Sequence, residues 1–105
     1  MAVSFAEISK RLEMSTDELE RKSVLSFVTH EIQLAEWDMA DIKERYSVSS
    51  RGELENNIKS KITSSHPAWE DLIHWENLEN YIERLRGVER KVPALDKLAR
   101  IVLTA

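Results

Sequence analysis

At 105 residues and a formal net charge of −4, the chain is sized for one domain, and its lack of cysteine excludes a disulfide framework and any thiolate chemistry. Charged residues make up 32% of it, against two glycines and two prolines, which is the composition of long helices joined by few tight turns. No apolar run is long enough for a membrane span and the N-terminus lacks the basic-then-apolar layout of a secretory signal, so the cytoplasm is the expected compartment.

Taken in order, Phe5, Ile8 and Leu12 predict a short helix, followed by a turn at Met14. Ser15 or Thr16 can cap the next helix. Ser15 lies three residues before Glu18, the spacing of a capping box, and Asp17 and Glu18 suit the positive end of the helix dipole. From Thr16 to Tyr46 the apolar residues Leu25, Val28, Ile32, Ala35, Met39, Ile42 and Tyr46 alternate at spacings of three and four, a heptad pattern. A helix of that length runs roughly 46 Å, longer than a domain of this size needs for its core. Another surface must therefore cover the seam, and Leu25, Val28, Ile32, Met39 and Ile42 are its candidate oligomer contacts. Acid-before-base pairs at i,i+4 (Glu7 to Arg11, Asp17 to Arg21, Glu18 to Lys22, Asp41 to Arg45) support the solvent faces.

Ser47, Ser49, Ser50 and Gly52 end the repeat. Ser50 with Glu53 predicts a second capping box, opening a short helix with Leu54, Ile58 and Ile62 on one stripe. A polar loop leads to Pro67, suited to the first position of a helix that carries Trp69, Leu72, Ile73, Trp75, Leu78, Tyr81, Ile82, Leu85 and Val88. Pro93 restarts a last short helix with Leu95, Leu98 and Val102. No stretch alternates convincingly as a strand. The expected fold is all-α: an antiparallel pair of long helices, 16–46 and 67–91, with short flanking helices. Residues 1–105 are expected to form a single helical domain, and an oligomer is expected.

The charge is unevenly divided. Residues 1–83 hold 9 Lys/Arg and 17 Asp/Glu, whereas residues 84–105 hold six bases (Arg84, Arg86, Arg90, Lys91, Lys97, Arg100) and only Glu89 and Asp96 as acids. An acidic body argues against wrapping nucleic acid, which needs a concentrated positive face. The stretch 89–105 remains a basic tail for an acidic partner.

Catalytic and metal chemistry finds little purchase. Glu70, Asp71 and His74 share a helical face, yet neither a His-Glu-x-x-His run nor a second Glu-x-x-His is present, so no metal or cofactor is expected. Glu76, Glu79 and Glu83 have the spacing of a solvated face, His30 and His66 have no distinguishing carboxylate partner, and the chain does not read as an enzyme. The aromatic residues are the sharper feature. Trp37 sits off the main seam with Phe27 and Leu34 on a neighbouring stripe, so the long helix is apolar on two sides and needs two partners. Trp69 and Trp75 either pack internally or, with Trp37, anchor a second protein, as tryptophans at interfaces often do. The candidate partner-binding set is Trp37, Trp69, Trp75, Arg84, Arg86, Arg90, Lys91 and Arg100.

The run from Ile8 to Leu19, Ile-Ser-Lys-Arg-Leu-Glu-Met-Ser-Thr-Asp-Glu-Leu, followed by the amphipathic Val24 to His30, resembles the helix pair of ribbon-helix-helix antitoxins. More broadly, Met14 to Leu19, the long charged helix, Tyr46-Ser47-Val48-Ser49-Ser50 and the stretches Trp69-Glu70-Asp71 and Trp75-Glu76-Asn77-Leu78-Glu79 look like small archaeal and bacterial antitoxin-like proteins. That resemblance implies a neutralising antitoxin that binds a small cognate toxin, with the basic tail covering or entering an acidic pocket. Ribbon-helix-helix proteins read DNA with a strand ahead of the first helix; here only Met1 to Ser4 are available, and Glu13 stands where a turn glycine is expected. Two alternatives stay open: a DNA-binding transcriptional regulator using residues 5–30, whose second helix would present Asp17, Glu18 and Glu20 to phosphates, and a structural coiled-coil adaptor.

Overall fold

The computed structural model describes residues 4–92. Among them are four helices and no strand: α1 (Phe5–Arg11), α2 (Thr16–Tyr46), α3 (Arg51–Lys59) and α4 (Ser65–Lys91). The fold is all-α. The bounds of α2 coincide with the heptad stretch. Regular helical backbone in α4 begins at Pro67, because His66 is extended (φ −126°, ψ 118°). The helix expected after Pro93, the tail residues Leu95, Lys97, Leu98, Arg100 and Val102 among it, lies outside the described residues.

Short polar side chains start three of the helices, Ser15 and Ser50 as the sequence suggests and Ser4 besides. Ser4 Oγ accepts from the Glu7 N–H at 3.2 Å, Ser15 Oγ from Glu18 at 3.0 Å and Ser50 Oγ from Glu53 at 3.1 Å. Each satisfies one of the orphan donors of a first turn. The glutamates of the two expected boxes, Glu18 and Glu53, bond elsewhere. Glu18 turns to Lys22 at 2.9 Å, and Glu53 accepts from both the N–H and the hydroxyl of Ser49 at 2.9 Å.

The helix ends share one device. Glu13, Ser47 and Lys61 adopt left-handed backbone, with φ of 56°, 52° and 62°. Each sits at the centre of a paired closure. Glu13 and Met14 donate to Lys10 O and Ser9 O, Ser47 and Val48 to Glu44 O and Lys43 O, and Lys61 and Ile62 to Ile58 O and Asn57 O. This is the Schellman arrangement, which satisfies the last carbonyls and turns the chain sharply. It also explains why α3 stops short. Ile62 fits the stripe begun by Leu54 and Ile58, but it falls beyond the left-handed residue and is 75% exposed.

The chain divides into two units, one made of Glu31–Leu85 and the other of Met1–His30 with Arg86–Ala105. In the Glu31–Leu85 unit the core gathers Ile42 from α2, Val48 from the turn, Leu54 and Ile58 from α3, and Ala68, Leu72 and Trp75 from α4, with Met39, Tyr46 and Leu78 packed against it. α3 is the reason this unit is not a two-stranded coiled coil: it inserts Leu54, fully buried, and Ile58 beside the two longer helices. Polar bonds join α2 to α4 at intervals. Tyr46 and Arg45 both donate to Asp71, Lys43 lies 5.8 Å from the Trp75 ring, and the Tyr81 hydroxyl donates to Glu31 at 2.7 Å. Partners of successively earlier α2 residues lie later in α4, so these parts run antiparallel.

The unit formed by the two chain ends is poorer in core. Among its described residues only Val28 and Ser9 are buried, Ser9 through hydroxyl bonds to Ala6 O (3.0 Å) and with Thr16 Oγ1 (3.2 Å). Phe5 and Leu12, expected on the inner stripe of α1, are 46% and 58% exposed.

Candidate functional site

Along the oligomer seam expected on α2, Val28, Ile32 and Ile42 are buried and Leu25 and Met39 are half-buried in the single chain. A heptad pattern requires only that its stripe be covered, and an intramolecular helix does that as well as another subunit.

The three tryptophans separate. Trp75, 2% exposed, belongs to the core and leaves the candidate partner-binding set; it shares one buried cluster with Ile42, Leu54 and Ile58. Trp37 is 59% exposed on α2 and Trp69 47% exposed on α4. Each has an exposed aliphatic neighbour one turn away, Leu34 beside Trp37 and Ile73 beside Trp69. On α2, Trp37 lies half a helical turn round from the stripe of Ile32, Ala35 and Met39, so burial of that stripe leaves the indole outward.

The predicted basic residues are dispersed along the end of α4. Arg84 sits over the Tyr81 ring at 5.6 Å, which orders its guanidinium. Arg86, Arg90 and Lys91 are exposed, the last two in the final turn where cations suit the negative end of the helix dipole. Arg100 lies outside the described residues.

Two of the residues weighed as metal ligands, Asp71 and Glu70, meet other side chains. Asp71 is taken by Arg45 Nη1 at 2.9 Å and by the Tyr46 hydroxyl, while Glu70 faces His66 Nδ1 at 3.6 Å across the first turn of α4. Among the described residues, no group of three or more His, Asp or Glu could hold a metal ion. Asp17, Glu18 and Glu20 do occupy the start of α2, with Glu18 held below its ordinary carboxylate range by its bond to Lys22.

Sequence reasoning missed the cluster of Asp41, Arg45, Tyr46 and Asp71. Arg45 bridges Asp41 on its own helix and Asp71 on α4, and the Asp71 carboxylate holds the guanidinium more firmly in its charged form. Burial and then the Asp71 bond push the Tyr46 hydroxyl above its usual range. Only the Asp41 to Arg45 spacing was visible; the contacts of Asp71 reach across 25 and 26 residues and leave no local signal.

A family model described as "Uncharacterized protein MJ0235 family" matches residues 1–95. The chain belongs to that family. The MJ0235 match spans all of residues 4–92 and carries no antitoxin or ribbon-helix-helix assignment. No curated protein and no solved structure matches this MJ0235-family chain. No helix among its described residues is long and apolar enough to cross a membrane.

Proposed function

We infer that this chain is a protein–protein interaction module that acts as the antitoxin of a toxin–antitoxin pair. The observation that carries the interaction reading is the fate of the tryptophans: one is spent on the core, while Trp37 and Trp69 stay exposed, each beside an exposed aliphatic side chain. A solvent-facing indole is an unused reserve of binding energy. Burying a further 100–150 Å² or so of Trp37 is worth roughly 3 kcal/mol at about 25 cal/mol per Å². The antitoxin role rests on the sequence resemblance, and the basic end of the chain supports it, since a single arginine in a carboxylate-lined pocket gains bidentate, charge-assisted bonds. A second copy of the chain is the other candidate for the Leu34–Trp37 face.

Co-expression with the product of the neighbouring gene tests the role through growth rescue, and titration of the purified pair tests the surface. Trp37→Ala and Trp69→Ala are expected to keep the helical circular dichroism of the parent, with at least one weakening the complex about 30-fold, the effect of a 2 kcal/mol hot spot. Unchanged affinity in both variants refutes the aromatic surface. Growth arrest that co-expression does not relieve refutes the antitoxin role.

A further inference from the structure

We propose that the outward face of α4 docks a cationic helix of a partner protein, one whose contact stripe is apolar at one end and carries lysine or arginine along the rest. The inference rests on the interaction reading above and names the chemistry of the partner. A single stripe carries it. Trp69, Ile73, Glu76, Asn80 and Glu83 follow one another at spacings of four and three, all within regular helix after Pro67, and all five are exposed. Helical geometry alone puts them on one face, over roughly 21 Å.

The other side of the same helix is the packed one, where Ala68, Leu72, Trp75 and Leu85 are buried. Burial of that side turns the Trp69 stripe to solvent. Trp69 is 47% and Ile73 45% exposed, and as i,i+4 neighbours they make one contiguous apolar spot rather than two scattered side chains. Alternate spacings of four and three are also what lets a second helix lie along this one.

Charge selects the occupant. Residues 62–83 hold the acids Glu70, Asp71, Glu76, Glu79 and Glu83 and no Lys or Arg. Asp71 and Glu79 pair with Arg45 of α2 and Arg51 of α3, whereas Glu76 and Glu83 enter no ion pair among the described residues. Arg84, the first base beyond the stripe, lies over the Tyr81 ring. The stripe thus runs from an apolar end into carboxylates without a countercharge. Nucleic acid and anionic lipid are repelled by such a face. A second copy of the stripe brings further carboxylates and no cation to meet them, and like charges brought together across an interface oppose binding. A partner helix with lysine or arginine opposite Glu76 and Glu83 and apolar side chains against Trp69 and Ile73 satisfies both halves, and its polarity fixes which way it lies.

Fluorescence anisotropy on the full chain tests this. The probe is a labelled synthetic helical peptide with leucines at one end of a single stripe and lysines along the rest; matched peptides carry glutamate for lysine or alanine for leucine. The parent is expected to bind the first peptide and neither control. Trp69→Ala, and Glu76→Lys with Glu83→Lys, should each weaken binding at least about tenfold while keeping the parent's circular dichroism. Glu13→Lys with Glu20→Lys changes the net charge equally in the other unit and should weaken it less than about twofold. No binding by the parent, equal binding of the alanine peptide, or an equal loss in the Glu13 and Glu20 variant would overturn the proposal. Self-association of the chain that Trp69→Ala abolishes would assign the stripe to a second copy and overturn it as well. A loss with Trp69→Ala but none with the Glu76 and Glu83 reversal would refute the cationic partner and leave the aromatic surface standing. That surface itself falls only if Trp37→Ala and Trp69→Ala both bind the neighbouring gene's product with parental affinity.

Discussion

Replacing Glu13, Ser47 and Lys61 together by glycine should raise the melting temperature. All three hold left-handed backbone at the ends of α1, α2 and α3, while the chain's two glycines, Gly52 and Gly87, stand inside helices with negative φ. A left-handed residue with a Cβ is strained by about 1–2 kcal/mol, and glycine loses about 0.5–1 kcal/mol through its freer unfolded chain. The net gain is on the order of 0.5–1 kcal/mol per site. The three sites close different helices, so the gains should add to about 2 kcal/mol. For a domain of about 100 residues that is a rise of roughly 8–15 °C. Calorimetry is the assay of choice, because it reads both the midpoint and any departure from a single cooperative transition. Gly52→Ala is the complementary change: a Cβ there meets nothing within 4 Å, and helix propensity should yield up to about 1 kcal/mol. A triple glycine variant that melts no higher than the parent would refute the reasoning, since it would mean that side-chain contacts, not backbone strain, set the energy of these turns.

Trp75→Ala should cost about 3–5 kcal/mol by opening a cavity among Ile42, Leu54 and Leu72, read as a lower urea midpoint. Asp71→Asn removes the charge shared by Arg45 and Tyr46 and should cost about 1–2 kcal/mol, less at high salt, in the same unfolding assay. The pH dependence should be two-sided. Glu53, lowered by its bonds from the Ser49 N–H and hydroxyl, and Glu18, lowered by Lys22, lend stability that is present above about pH 4.5 and lost as pH falls through their depressed folded values. Tyr46, raised by burial and Asp71, and Tyr81, raised by its bond to Glu31, lend stability that is present below about pH 10 and lost above it, so denaturant midpoints should fall at both extremes.

The helices of this chain are legible because local chemistry specifies them. The heptad spacing and the Ser15 and Ser47–Ser50 boundaries locate α2, and Pro67 locates the regular start of α4. The end of α3 was not legible, because Lys61 in left-handed backbone is a conformational choice that no preference of lysine announces. What covers a stripe is likewise absent from periodicity. Ile32 and Ile42 read the same whether their neighbour is α3, α4 or a second copy, and Trp69 and Trp75 both sit on a broad apolar surface until packing selects one. The bonds of Asp71 depend on a tertiary approach across 25 residues, which single-sequence patterns do not encode.

The two phenol–carboxylate bonds between α2 and α4, Tyr46 to Asp71 and Tyr81 to Glu31, stand 15 residues apart on α2, roughly 22 Å. Apolar contacts are non-directional and tolerate small offsets along the helix axes. These bonds do not. Shifting α4 by two turns would separate both hydroxyls from their acceptors and strand the half-buried Asp71 carboxylate away from Arg45. The pair thus ties the two helices at two separated points, adding directional bonds to the register set by the packed core of the Glu31–Leu85 unit.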